Sequence, residues 1–297
     1  PLTPAYDSIL TLAPYQTGKP IEELTREYGV SDVVKLASNE NPMGCSPRVT
    51  LAITEQLGQL SRYPDGNGYY LKQALADFND VKVEQITLGN GSDDLLDILA
   101  RSFVGADDAI VYSQYAFVVY SMLAKMQGAM DVEVPAHRFG HDLKAMSQTV
   151  QDNPNTKIVF IANPNNPTGL PVARTDIEWL LAHKPKGSIL LVDEAYIQFS
   201  DAQSCLDLVA SGADLLVART FSKIYGLAGL RCGLIAGRKD LIDGMARHGV
   251  NITPMPAVIA AEASLLDPAL VPTRKAQNKA VRDDLFAWLD ARGLRYL

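Results

Sequence analysis

The sequence runs to 297 residues, enough for one large domain or a large domain with a smaller companion. Hydrophobic residues make up 47% and charged residues 21%, the balance of a soluble globular chain with a substantial core. With 27 basic residues against 34 acidic ones, the net charge of −7 argues against nonspecific binding to nucleic acid or to an acidic membrane surface, and leaves room for an anionic ligand held by local donors.

In chain order, residues 1–30 are rich in Pro and Tyr and read as an arm with a short helix. Short apolar runs then alternate with helical patterns. The predicted strands are Gln85–Leu88, Ala109–Tyr112, Met130–Val134, Lys157–Ile161, Ser188–Val192, Leu215–Ala218 and Cys232–Ala236. Several are continuous apolar runs, which suit strands buried on both faces of a sheet. Predicted helices between them include Ser92–Phe103, with Ser92 as N-cap ahead of two acids, Arg174–Ala182 and Lys239–Arg247. This alternation predicts an α/β fold with a mostly parallel sheet and a ligand site beyond the carboxyl ends of the strands. From about residue 250 the pattern turns helical, over Met255–Leu266 and Pro272–Arg292. The second stretch carries an apolar face of Val281, Leu285, Trp288 and Leu289. The closing Leu294–Leu297 reads as the start of a strand.

Four strand ends carry candidate chemistry. In Leu88-Gly-Asn-Gly-Ser-Asp-Asp94 a glycine-rich turn leads into a helix, whose first N–H groups and dipole favour phosphate; Gly89-x-Gly91 alone also fits an ordinary capped helix. Asn163-Pro-Asn-Asn-Pro-Thr-Gly169 is a rigid polar loop whose amides offer a ligand both donors and acceptors. Asp193 ends a strongly apolar strand, where a carboxylate needs a partner. A protonated pyridine nitrogen or a structural ion pair would serve, and a nucleotide-hydrolase acid is discounted because no phosphate-binding G-x-x-x-x-G-K-[ST] loop accompanies it. Lys223 lies just past another buried strand, flanked by Thr220, Ser222 and Arg231. A lone lysine is more often a surface charge, yet one among phosphate-binding groups suits a Schiff base with a carbonyl cofactor.

The three cysteines, Cys45, Cys205 and Cys232, form no C-x-x-C pair and read as reduced thiols of a cytoplasmic protein. His137 and His141 sit in a loop-like stretch, so no metal is expected there. No apolar run is long enough to suggest a membrane span. The opening Pro1-Leu-Thr-Pro has no signal-peptide character and no initiator Met, as in a processed or trimmed chain.

Taken together, these segments resemble fold-type I pyridoxal 5'-phosphate (PLP) aminotransferases, and within them the histidinol-phosphate aminotransferase family. The resemblance rests on Pro14-Tyr-Gln-Thr-Gly-Lys-Pro20, Leu36-Ala-Ser-Asn-Glu-Asn-Pro42, Arg62-Tyr-Pro-Asp-Gly66, Gly89–Asp93, Asn163–Gly169, Asp193-Glu-Ala-Tyr196 and Arg219–Arg231, in matching order and approximate spacing. It implies a mostly parallel mixed sheet sandwiched by helices, with a smaller domain that is incomplete at its C-terminal end. The implied division is an arm and part of the small domain over 1–30, a large PLP-binding domain over 31–250, and the start of the small domain over 251–297.

The resemblance also implies roles. Lys223 would carry the cofactor and shuttle a proton, Asp193 would pair with the pyridine nitrogen, and Asn166 and Tyr196 would hydrogen-bond the ring's phenolic oxygen. Phe117, rather than Tyr115, would stack on the ring. The main-chain amides of Ser92 and Asp93, with Ser222 and Arg231 and assistance from Thr220, would bind the phosphate. Tyr63 would reach the phosphate of the other subunit of a homodimer with shared active sites. Tyr15 and Asn39 would line the substrate side. The implied reaction converts L-histidinol phosphate and 2-oxoglutarate by ping-pong kinetics. An aromatic amino-acid aminotransferase, a PLP-dependent decarboxylase and a catalytically impaired PLP-binding protein are the alternatives. Three departures stand out. Thr17 and Gly249 replace frequent prolines. The family's chain usually continues past the point where this one stops, and Arg295 does not match the arginine that the extension supplies for a substrate carboxylate. A truncated chain is the expectation.

Overall fold

A computed structural model describes residues 7–16, 18–249 and 252–297. The opening Pro1-Leu-Thr-Pro, Thr17 and the expected domain boundary at 250/251 lie outside the described residues. The N-terminal part holds helices α1 (Asp7–Leu10), α2 (Ile21–Tyr28), α3 (Pro47–Gln56) and α4 (Tyr69–Asn79). Strand β1 (Ile86–Gly89) and helix α5 (Ser92–Phe103) follow. Then come β2 (Ala109–Ser113), α6 (Val119–Gln127), β3 (Met130–Val134), α7 (Leu143–Asp152), β4 (Thr156–Ala162), α8 (Arg174–His183), β5 (Ile189–Asp193), α9 (Leu206–Ala210), β6 (Leu215–Thr220) and β7 (Gly233–Gly237). Helices α10 (Lys239–His248), α11 (Met255–Leu265) and α12 (Leu270–Asp290) complete the chain.

All seven predicted strands form, within one or two residues of their expected ends. They make one sheet in the order β1-β7-β6-β5-β4-β2-β3. Neighbours from β6 through β3 run parallel, while β7 lies antiparallel between β1 and β6. Every residue of β2, β5 and β7 is buried, which explains their continuous apolar sequences. Edge strand β3 instead carries the charged Asp131 and Glu133, a composition that blunts an unpaired edge. Helices α5, α6 and α10 pack on one face of the sheet around Leu96, Tyr120 and Ile242. The other face meets α3, α4, α7, α8, α9 and α11 through Leu71, Met146, Leu180, Val209 and Ala260. Helices therefore sandwich a mostly parallel mixed sheet.

Three local expectations are corrected. Ser92 is the first helical residue of α5, not its cap. The cap is Gly91 at φ 93° and ψ 167°, a conformation that side chains disfavour. Leu294–Leu297 forms no strand. No neighbouring strand pairs with it among the described residues, and it folds back so that Tyr296 stacks on Phe286 (centroids 4.3 Å apart) and donates a hydrogen bond to Asp290 at 3.2 Å. The apolar face read on α12 does not enter the core, since Val281, Leu285 and Trp288 are exposed and Leu289 only half-buried. This helix docks through its first turns instead, where the buried Arg274 donates to the Ile224 carbonyl at 2.7 Å and Lys275 to the Ser200 carbonyl at 2.6 Å.

Candidate active site

The carboxyl ends of the parallel strands open into one cavity of about 560 Å³. Lys223, Asp193, Tyr196, Ser92, Asp93, Phe117, Asn166, Thr220, Ser222, Arg231, Tyr15 and Asn39 all line it. Segments more than two hundred residues apart in sequence, Tyr15 and Arg231 among them, thus converge because β1, β4, β5 and β6 end on the same edge of the sheet. Tyr63 does not share this cavity. It is 94% exposed and lies on a separate cleft with Tyr70 and Met255.

The charged groups are placed by strand alternation. Asp193 ends β5 on the face that carries Leu191, beside α6. It is buried, and burial pushes its carboxyl up to about 6 against the opposing hydrogen bonds from Tyr120 and the Ala195 N–H. Among the described residues no cationic side chain pairs with it. The structural ion pair that the sequence left open belongs to its neighbour, as Arg219 Nε meets the fully buried Glu194 at 2.8 Å on the other side. Ser204 Oγ and the Cys205 N–H also donate to Glu194, at 2.8 and 2.6 Å. Glu194 therefore braces the loop after β5, a role that sequence reasoning missed.

Lys223 follows β6. Its Nζ lies 3.4 Å from the Ser38 carbonyl and 5.5 Å from the centroid of the Tyr196 ring. The Tyr196 hydroxyl accepts a hydrogen bond from Asn39 at 2.9 Å, which ties the Leu36–Pro42 segment to this wall. Asn41 Nδ2 reaches the carbonyls of Lys223 and Ile224 at 3.2 and 3.3 Å, and Arg274 Nη1 donates to the same Ile224 carbonyl at 2.7 Å. Asn41 and Arg274 clamp the lysine loop, and only the juxtaposition of distant segments reveals them. Of the three asparagines in Asn163–Gly169, Asn166 alone lines the cavity. Asn163 accepts from the Val172 N–H and Asn165 donates to the Tyr115 carbonyl, so both hold the loop itself. His141 is a structural group, with Nε2 against the Ala162 backbone and its ring pushed down to about 4 by burial.

An anion cradle occupies the β1 end of the cavity. The first turn of α5 presents Ser92 and Asp93, and helix N-termini favour phosphate. Arg231 Nη1 lies 3.4 Å from Ser222 Oγ and 3.0 Å from the Ala228 carbonyl, and the Ser222 N–H donates to Thr220 Oγ1 at 3.1 Å. A Cβ on Gly91 would press into the Arg231 guanidinium. At Gly233 a Cβ would lie 2.7 Å from the Ser92 nitrogen and 2.8 Å from the Gly91 carbonyl carbon, both rigid backbone. The donor set and a buried carboxylate that no described cationic side chain pairs together fit a phosphorylated pyridine cofactor. Gly233→Ala is accordingly expected to cost about 1–3 kcal/mol of stability by overpacking and to weaken cofactor binding. Urea unfolding and a PLP titration of the variant check both.

The chain matches the family Aminotransferase class I and II over residues 31–297. It is 64% identical over 304 aligned residues to histidinol-phosphate aminotransferase 1 of Psychrobacter arcticus, covering 100% of this chain and 78% of that protein. This chain belongs to the histidinol-phosphate aminotransferase family. It is a PLP-dependent aminotransferase. Another family member, histidinol-phosphate aminotransferase 2 of Hydrogenovibrio crunogenus, is 42% identical over 288 residues, 95% of this chain and 76% of its own length. The crystal structure of histidinol-phosphate aminotransferase from Sinorhizobium meliloti in complex with pyridoxal 5'-phosphate superposes with a TM-score of 0.90 at 26% identity, over 100% of this chain and 81% of that one. Among the described residues no single helix is long and apolar enough to cross a membrane.

Proposed function

We propose that this aminotransferase takes L-histidinol phosphate as amino donor and 2-oxoglutarate as acceptor, giving imidazole acetol phosphate and L-glutamate in histidine biosynthesis. The 64% identity to the Psychrobacter enzyme across the whole chain carries the choice of donor. Bound PLP supplies a carbonyl that takes up the donor amine and a ring that accepts the electron pair released at the α-carbon.

The residues of this chain have distinct tasks in that reaction. Lys223 would hold the cofactor through its amine, and the free amine would move the proton at the donor's α-carbon. Its backbone is held by Asn41 and Arg274, so the amine swings from a fixed base. Asp193 would keep a proton on the cofactor's ring nitrogen by facing it with a carboxylate. Asn166 and Tyr196 would hydrogen-bond the phenolic oxygen, and Phe117 would cover the ring face. The Ser92 and Asp93 amides, Thr220, Ser222 and Arg231 anchor the phosphate, which fixes the ring against the lysine. Tyr15 and Asn39 border the donor.

Shared sites in a homodimer are part of the same reading. Tyr63 is almost fully exposed beside further exposed aromatics, Tyr69 and Tyr70, as suits a residue that serves a second subunit. The division at 1–30, 31–250 and 251–297 is supported by a sheet that lies wholly between residues 86 and 237. A cytoplasmic setting fits the buried, unpaired Cys205 and Cys232, whose thiols burial pushes up to about 12.

A donor panel with 2-oxoglutarate tests the assignment. Glutamate formation from histidinol phosphate is expected to exceed that from phenylalanine, tyrosine or histidine by about 100-fold or more in kcat/KM, the discrimination available to a site that pairs a polar substrate group. Parity with phenylalanine or tyrosine would move the chain to the aromatic amino acids. Cofactor binding without turnover of any donor would leave a binding protein.

A further inference from the structure

Asp193 is gripped by a side chain to which no role has been assigned. Tyr120 of α6 is fully buried, and its hydroxyl donates to Asp193 Oδ2 at 2.8 Å. The Ala195 N–H donates to Oδ1 at 3.1 Å. The Tyr120 ring stacks flat on Phe160 of β4, with centroids 4.4 Å apart and planes 6° from parallel, and it meets Phe117 edge-on at 5.9 Å. Its hydroxyl is thereby fixed in place at the cavity wall, with Asp193 as its only hydrogen-bond partner among the described residues. Burial and the nearby Asp193 charge hold this phenol far above its ordinary range, so it stays a donor.

We infer that Tyr120 is a positioning residue whose hydrogen bond to Asp193 keeps that carboxylate the weaker base of its pair with the cofactor's ring nitrogen, so that the proton stays on the ring. The inference rests on the reading of Asp193 as partner of that nitrogen. A donor on an ionised carboxylate stabilises the anion and lowers its appetite for a proton. The surroundings otherwise push the other way. The apolar wall favours the neutral acid, and the acidic groups that act on Asp193, Asp93 from α5 and the adjacent Glu194, add to that push. Lys223 and Arg231 line the same cavity without pairing to Asp193. Among the described residues, Tyr120 and the Ala195 N–H are the two groups that hydrogen-bond the anion, and only Tyr120 does so through a side chain. A purely structural aromatic would need no hydroxyl here, because phenylalanine would fill the same stack and spare the burial of a polar group.

The test uses the holoenzyme loaded with PLP carrying nitrogen-15 in its ring, as wild type, Tyr120→Phe and Asp193→Asn. The phenylalanine keeps the contact with Phe160, and thermal unfolding checks that the variant is folded. Tyr120→Phe is expected to move the ring nitrogen-15 resonance toward the neutral pyridine value, in the same direction as Asp193→Asn and by less. It is also expected to weaken PLP binding and to lower kcat by about tenfold each, with the donor KM within about twofold, as for a lost hydrogen bond to a charged group. A Tyr120→Phe resonance at the wild-type position, with Asp193→Asn shifted, would overturn the inference and leave the role of Asp193 standing, whatever happens to kcat. If neither variant moves the resonance, the assignment of Asp193 falls, and the inference with it.

Discussion

Replacement of Lys223 by alanine is expected to lower kcat by about 10⁴-fold or more, since in the proposed reaction it removes both the amine that would hold the cofactor and the group that would move the α-proton. The position leaves no substitute. Among the described residues lining the cavity, the other basic side chain is Arg231, which is turned to Ser222 and the Ala228 carbonyl. Borohydride reduction followed by peptide mapping gives a readout independent of turnover. The wild-type protein is expected to carry the cofactor on the peptide containing Lys223, and Lys223→Ala is expected to carry no reducible adduct. A reducible adduct on another lysine of the variant would reassign the site. Because the phosphate cradle of α5, Ser222 and Arg231 is untouched, the variant should still bind PLP reversibly. Its dissociation constant separates loss of attachment from loss of the pocket.

Asp193→Asn is expected to act on activity and on stability in opposite senses. With the cofactor bound, loss of the carboxylate would remove the charge proposed to keep a proton on the ring nitrogen, and kcat should fall by about 10²–10⁴-fold, the scale of a lost electrostatic partner. In the cofactor-free protein the same carboxylate is a burden. Its native pKa, about 6, stands above the ordinary 3.8, so the folded state holds the proton more tightly than the unfolded chain does. The contribution to stability is therefore fully present below pH 3.8 and is lost as pH rises through 6. A difference of about two pH units corresponds to about 3 kcal/mol. Cofactor-free Asp193→Asn should accordingly be the more stable protein at pH 8, by up to about 3 kcal/mol, and that advantage should vanish as the pH falls from 6 to 4. Addition of PLP should reverse the order at pH 8, because a protonated ring nitrogen gives the buried carboxylate its counter-charge. Urea unfolding at pH 4.5 and 8, with and without PLP, measures all four cases. Equal stability of the two cofactor-free proteins at pH 8 would show that Asp193 is not held as a strained anion.

Much of the site was legible because its chemistry is local in sequence. Asp193 stands out as an acid ending a run of Ile189-Leu-Leu-Val192, and Lys223 as a lysine among Thr220, Ser222 and Arg231. Gly89–Asp93 announces a turn into a helix, even though Gly91 and not Ser92 turned out to be the cap. What escaped were the residues that act across the fold. Glu194 sits next to Asp193 and carries the same charge, yet β-strand alternation sends one toward the cavity and the other toward Arg219. Tyr120, Asn41 and Arg274 touch their targets over separations of 73, 182 and 50 residues, and no periodicity or spacing signals such contacts. The apolar face of α12 misled for the converse reason. A periodic pattern says that a helix has a face to bury, while the partner surface decides whether it is buried.

By itself the sequence determined the seven strands, their alternation with helices, and the residue types needed to hold a phosphorylated carbonyl cofactor, because continuous burial and turn chemistry are written into neighbouring residues. The tertiary structure decided which of those residues face one another. It gathered twelve candidates from across the chain into one cavity at the strand ends and left Tyr63 outside it. Among the described residues it also gave a counter-ion to Glu194 and none to Asp193, and set a tyrosine hydroxyl against the Asp193 carboxylate. These outcomes depend on the order of strands in the sheet and on which face each side chain meets, and both arise only when distant segments pack.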